Sequence, residues 1–189
     1  MKALRDHLAL ENPRFRCRDT SERHSLTVKL TSTANRPAAA SELADLRALA
    51  GAEFVYLEPL YKEFNGVFLH GHGETFGLVL APIKDLPELS ADCRESFYVD
   101  EEDLYPFQRE GIVFATIFQS GNYFLCHHGK VYYSDHDGGD DAIWGEDLEA
   151  FLDRALSDPP KFLLDAGCYT RYSDGTTDRQ FIPEEFLHD

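Results

Sequence analysis

From Ile112 to Tyr133 the chain alternates short apolar runs with turn residues, and this spacing constrains the fold more than any other feature. Ile112 to Phe118 is followed by Gln119-Ser120-Gly121-Asn122, Tyr123 to His127 by His128-Gly129, and Val131 to Tyr133 completes the series. Connections this short keep consecutive strands adjacent and antiparallel, so a β-meander is predicted. The period then changes. Trp144, Leu148, Phe151, Leu152, Ala155 and Leu156 recur at helical spacing, Glu146 and Asp147 occupy the favourable first turn, and Pro159-Pro160 ends the run.

Earlier segments supply further elements. Ser41 to Ala50 sets Leu43, Leu46 and Leu49 on one helical face, with Gly51 where a left-handed terminator is wanted. Pro59 is suited to open a second helix that stops at Asn65-Gly66. Leu26, Val28 and Leu30, and again Phe76, Leu78 and Leu80, alternate as in half-buried strands. Ala166 to Tyr172 and Gln180 to Ile182, around Asp174-Gly175, read as an added hairpin. The expected fold is a single α+β domain, an antiparallel or mixed sheet with a meander packed by a few helices. Residues 1–36 are expected to be an N-terminal extension joining the fold and residues 37–189 the α+β domain.

With 189 residues, 43% of them apolar, the chain is long enough to bury roughly 70% of its unfolded surface. Its longest apolar runs fall short of the roughly 20 residues that cross a bilayer, and no apolar stretch follows the first charges, so no membrane association is expected. Cys17, Cys93, Cys126 and Cys168 are scattered, as in a reduced, cytoplasmic protein. The net charge of -16 is uneven: residues 1–36 hold eight Lys/Arg against four Asp/Glu, and residues 37–189 hold ten against thirty. Such a body repels phosphate backbones, which disfavours nucleic acid, and draws in a basic protein. Asp100, Glu101, Glu102 and Asp103 form one acidic cluster, and Asp135, Asp137, Asp140 and Asp141 a second. Both are expected to lie in loops flanking the same sheet region and to bind that partner.

The motifs that would carry chemistry are incomplete. Asp135 to Glu146 has the length of a calcium loop, but its sixth place is Asp140 where the sharp turn needs glycine, and its fifth is the ligand-less Gly139. A strand-to-helix turn is expected there. His70-Gly71-His72-Gly73 and His127-His128, beside Cys126, offer imidazoles, but nothing in the sequence brings these segments together into a closed zinc site, and solvated histidines in glycine-rich turns are expected. No Gly-x-Ser-x-Gly elbow, P-loop or GxGxxG is found. Arg14-Phe15-Arg16-Cys17-Arg18 interleaves basic and aromatic residues, which in so acidic a chain reads as an extended surface segment. No catalytic residue, metal or cofactor is expected.

The run GKVYYSDHDGGDDAIWGEDLEAFLDRAL, Gly129 to Leu156, resembles the C-terminal part of the SUKH superfamily: a meander strand, an acidic glycine-containing loop and a helix opening near an aromatic residue. Upstream, GIVFATIFQSGNYFLCH resembles the paired strands before that loop, and LRALAGAEFVYLEPLYKEFNG the early helix, proline, tyrosine and Asn-Gly succession. Glu58-Pro59 stands where the family often has Leu-Pro, Phe54 to Leu57 is more strand-like than usual, and residues 1–36 and 160–189 have no counterpart. The resemblance implies a compact α+β scaffold that works by binding. Bacterial members often are immunity proteins that block toxins, frequently nucleases; others regulate cell-wall synthesis in yeast or occur in viruses. It therefore implies a toxin domain as the basic partner, with a regulatory or scaffolding role toward another protein as the alternative, and a metal-binding or hydrolytic enzyme as the third reading.

Overall fold

The expected meander supplies three consecutive strands of a seven-stranded antiparallel sheet in which each strand pairs with the next along the chain. The computed structural model describes residues 1–10, 14–19, 24–72, 76–96, 104–118, 121–135, 142–167, 172–173, 178–179 and 181–183. Numbering all strands in chain order, β1 is Arg14–Asp19 and β2 His24–Lys29, and the sheet begins at β3 (Thr31–Ala34) and β4 (Val67–His72). It continues through β5 (Phe76–Leu80), β6 (Ile112–Ile117), β7 (Tyr123–His127), β8 (Lys130–Ser134) and β9 (Ala142–Gly145). The α+β class is thus as expected.

Strand alternation divides the sheet into two faces. Leu78, Leu80, Phe114, Phe124, Val131 and Tyr133 face the larger core. That core is closed by α1 (Lys2–Leu8), α2 (Ala40–Ala50), α3 (Phe54–Tyr61), and, after β9, α6 (Leu148–Ser157) and α7 (Pro159–Asp165). On the opposite face Val113, Tyr123 and Leu125 pack with Cys93 of α4 (Leu86–Glu95) and Phe107 of α5 (Pro106–Glu110). The larger core is strongly aromatic: the Phe124 ring centroid lies 5.2 Å from Trp144, 4.9 Å from Phe151 and 5.9 Å from Phe162.

Several expectations need correction. Trp144 belongs to β9, not to the helix; α6 begins at Leu148, where Asp147 caps it by accepting a hydrogen bond from Ala150 N at 2.8 Å. That cap outweighs the continuous helical spacing, and a strand stands where residues 135–146 suggested a direct strand-to-helix turn. Phe54 to Leu57 is helical, and Pro59 lies inside α3. Proline there removes the bond to the Val55 carbonyl, but on the outward side, where Val55 is exposed. The 26–30 alternation is interrupted: β2 ends at Lys29 and the buried Leu30 passes the chain to β3 at the edge of the main sheet.

At the C-terminal end, β10 (Tyr172–Ser173) pairs with β11 (Asp178–Arg179), while β12 (Phe181–Pro183) pairs with β1. Ala166 is the buried cap of α7, not part of a strand. The Asp174-Gly175 turn lies outside the described residues. Among the described residues, no helix is long and apolar enough to cross a membrane.

His70 overturns the expectation of solvated histidines, because it is fully buried in β4. Its φ of +57° coincides with a register shift between Leu69 and His72, and this bulge turns the ring into the protein. Nε2 lies 2.9 Å from the Ala155 carbonyl, which only accepts, so Nε2 carries the proton; Nδ1 has no hydrogen-bond partner among the described residues. Burial first, and the neighbouring His7 second, push the pKa of His70 down to about 4.

Phe151 is fully buried among Phe114, Phe124 and Phe162. Phe151→Ala should lower the unfolding free energy by about 3–5 kcal/mol, read as an earlier midpoint in denaturant; an unchanged midpoint contradicts the packing. His70 binds its proton less readily folded than unfolded, so stability is lost as pH falls from its ordinary 6.5 toward about 4. The loss should approach roughly 3 kcal/mol. His70→Asn, which tolerates positive φ but does not titrate, should remove that part of the slope in melts at stepped pH. Parallel pH profiles for the two proteins would contradict it.

Candidate functional site

The meander strands carry chemically distinctive groups at both of their ends. At one end α5 meets the close of β8. Gln108 Oε1 accepts from Tyr105 N at 3.0 Å, while its Nε2 donates to Ser134 Oγ at 3.1 Å. This buried amide ties the start of α5 to the last residue of β8. The chain therefore enters α5 from residues 97–103 beside the point where it leaves β8 toward residues 136–141.

Those segments hold the expected binding residues. Asp100, Glu101, Glu102, Asp103, Asp137, Asp140 and Asp141 lie outside the described residues. Asp135 is described and is half-buried just past β8. The anchors of both acidic segments thus come together.

Between the anchors lies an apolar surface that pattern reading missed. Ile143 of β9 is directly opposite Tyr132 of β8, Tyr132 stacks on Phe107 at 4.6 Å, and Phe107 stacks on Tyr105 at 5.9 Å. Tyr105 and Ile143 are 53% and 42% exposed, large values for apolar side chains resting on a sheet. Each stands only a few residues from an acidic cluster. A hint was available in the sequence, since Tyr105 follows Asp103 closely and Ile143 follows Asp141, but only ring stacking through Phe107 and Tyr132, together with the β8–β9 register, shows that both lie on one face.

At the opposite end, His128-Gly129 forms the two-residue turn from β7 to β8, with φ of +51° and +77°. Both central residues are left-handed, as a type I′ hairpin requires. A Cβ on Gly129 would also come within 2.8 Å of the Tyr56 ring. Glu53, buried in the 3-10 turn Gly51–Glu53 ahead of α3, reaches this hairpin. Its Oε1 accepts from His128 N at 2.8 Å, and its Oε2 from Gly129 N at 3.2 Å and from the Cys126 thiol at 3.4 Å. Burial and then the adjacent carboxylate push the Cys126 thiol up. Burial and then His128 push His127 down.

His127 is buried, its ring centroid 4.0 Å from that of the exposed His128. Glu53 was invisible to sequence reading, because it is one of 34 acids and meets partners 73 to 76 positions away. The structure therefore joins the His127-His128 pair to a carboxylate, and does not join it to His70.

Of the run 135–146 considered as a calcium loop, residues 136–141 lie outside the described residues. Glu146 is separated from the acidic segment by β9, and its Oε2 accepts from Lys130 Nζ at 2.6 Å. A third feature, an open groove of about 340 Å³ between Thr33, Phe68, Val79 and Phe118, has no titratable group in its described lining. Comparison with known protein families and with curated proteins finds no match.

Proposed function

We propose that this protein is a binding module that occludes a basic protein partner with the Tyr105–Tyr132–Ile143 surface and the acidic segments beside it. The observation that carries this reading is an exposed apolar strip between the anchors of two segments with eight carboxylates. Interfaces commonly combine an aromatic anchor with a charged rim: the anchor limits dissociation, and the rim steers encounter. An excess of twenty negative charges over residues 37–189 acts in the same sense.

The resemblance to the SUKH superfamily suggests which partner. On that reading the protein is a bacterial, cytoplasmic immunity protein, and the partner is a toxin domain; a nuclease, with its basic nucleic-acid surface, fits the acidic segments. A regulatory or scaffolding member of the same superfamily would use this surface on a different protein. Genomic context distinguishes the two, since an immunity gene should adjoin a large toxin gene.

Association kinetics with the partner, recovered by pull-down or from the adjacent gene, provide the test. Asp140→Asn with Asp141→Asn should slow association at low salt and flatten its salt dependence, leaving dissociation nearly unchanged. Tyr105→Ala should instead act on dissociation, weakening affinity by about 30-fold, as loss of an anchor worth about 2 kcal/mol does. Wild-type rates in the double variant at low salt exclude the 136–141 segment, and wild-type affinity in Tyr105→Ala excludes the surface.

A further inference from the structure

Glu53, His127 and His128 bring one carboxylate oxygen and one ring nitrogen from each histidine within 4.8 Å of one another. The geometry points to a site for a single divalent transition-metal ion, held by these three side chains at the β7–β8 turn with its outward position left to water.

The ligand chemistry selects the class of ion. Two imidazoles and one carboxylate suit Zn²⁺, Ni²⁺ or Cu²⁺, whereas Ca²⁺ and Mg²⁺ favour all-oxygen sets. Three such ligands and a water complete a tetrahedral zinc site. Bonds of about 2.0–2.2 Å place tetrahedral ligand atoms roughly 3.3–3.5 Å apart, so the cluster, with all three atoms within 4.8 Å, closes by at most about 1.5 Å on binding. The exposed member is free to adjust: the His128 side chain is 78% exposed, while Glu53 and His127 are buried.

The surroundings of Glu53 match a prepared ligand. Hydrogen bonds from His128 N, Gly129 N and the Cys126 thiol fix the carboxylate, as outer-shell donors fix metal-binding carboxylates elsewhere. They use three of its roughly four lone-pair directions and leave one for an ion. The turn alone accounts for Glu53 and Gly129 but not for the imidazoles. Asparagine fills the first place of a type I′ turn at lower steric cost than histidine at φ +51°. The acidic segments are anchored at the far, Ser134 end of β8, whereas the His127 ring lies 6.1 Å from that of Tyr132; the metal site does not rest on the proposed partner surface.

The test exploits that turn preference. His128→Asn removes the imidazole and creates an Asn-Gly hairpin, so the fold should persist, with a metal-free melting temperature at or above that of wild type. Full-length, chelator-treated protein is titrated with Zn²⁺ by calorimetry and with Co²⁺ by visible absorption. Wild type should bind one equivalent of each, and its melting temperature should rise with Zn²⁺. His128→Asn should bind at least tenfold more weakly and lose most of that rise, and Ca²⁺ should affect neither protein. The absence of saturable one-to-one Zn²⁺ binding up to about 1 mM would overturn the proposal. So would equal Zn²⁺ affinity in wild type and His128→Asn.

Discussion

The pairing of β7 with β8 fixes much of what surrounds it. His127 is set opposite Lys130 and Tyr123 opposite Ser134, with only His128-Gly129 between the strands. A one-residue slip would turn Val131 and Tyr133 out of the large core and Tyr132 into it, because side chains alternate across a strand. The left-handed turn and the Glu53 carboxylate that accepts both of its N–H groups hold this register. Leaving those donors without a partner would cost about 1–3 kcal/mol, so a buried acid is retained here despite its own desolvation.

Once the register is held, the aromatic core follows. Phe124 and Tyr133 meet across the strands at 5.3 Å, Tyr133 stacks on Trp144 at 4.7 Å, and the Arg154 guanidinium covers the indole at 3.8 Å. The rings join β7, β8 and β9 to α6 and α7. Directional ring contacts of this kind add stability beyond their buried area, and here they also position the ends of the strands. One end of β8 reaches Ser134 and the acidic segments, and the other reaches the histidine turn.

The parts of this structure legible in the sequence are local. The β6–β8 meander and α2 follow from period and turn residues within a few positions, and Gly51 ends that helix at φ +52° as expected. The reading failed where a distant or competing contact decided the outcome. Trp144 continues the helical spacing, but pairing with β8 and the Asp147 cap assign it to a strand. Pro59 favours a first helical turn, yet the burial of Phe54 and Leu57 draws the helix back five residues. His70 in a glycine-rich stretch resembles a solvated turn residue until a bulge directs it into the core. The acidic clusters were plain in composition. The apolar strip between their anchors was not, because Tyr105, Tyr132 and Ile143 meet only through tertiary stacking and cross-strand pairing.

Charge and apolar surface have separate roles at the proposed partner surface. Exposed ion pairs contribute at most about 1 kcal/mol each and are screened beyond roughly 8 Å at physiological salt. Carboxylates alone would therefore yield a fast but short-lived encounter. Repulsion among like charges also opposes compactness in a chain of net charge -16, and a basic partner would relieve that repulsion where it is densest. In the proposed complex Tyr105 and Ile143 would supply what charge cannot: exposed area that leaves water on binding, on a base held by Phe107 and Tyr132. Because that base is already stacked and paired in the free protein, little of the gain would be lost to ordering it.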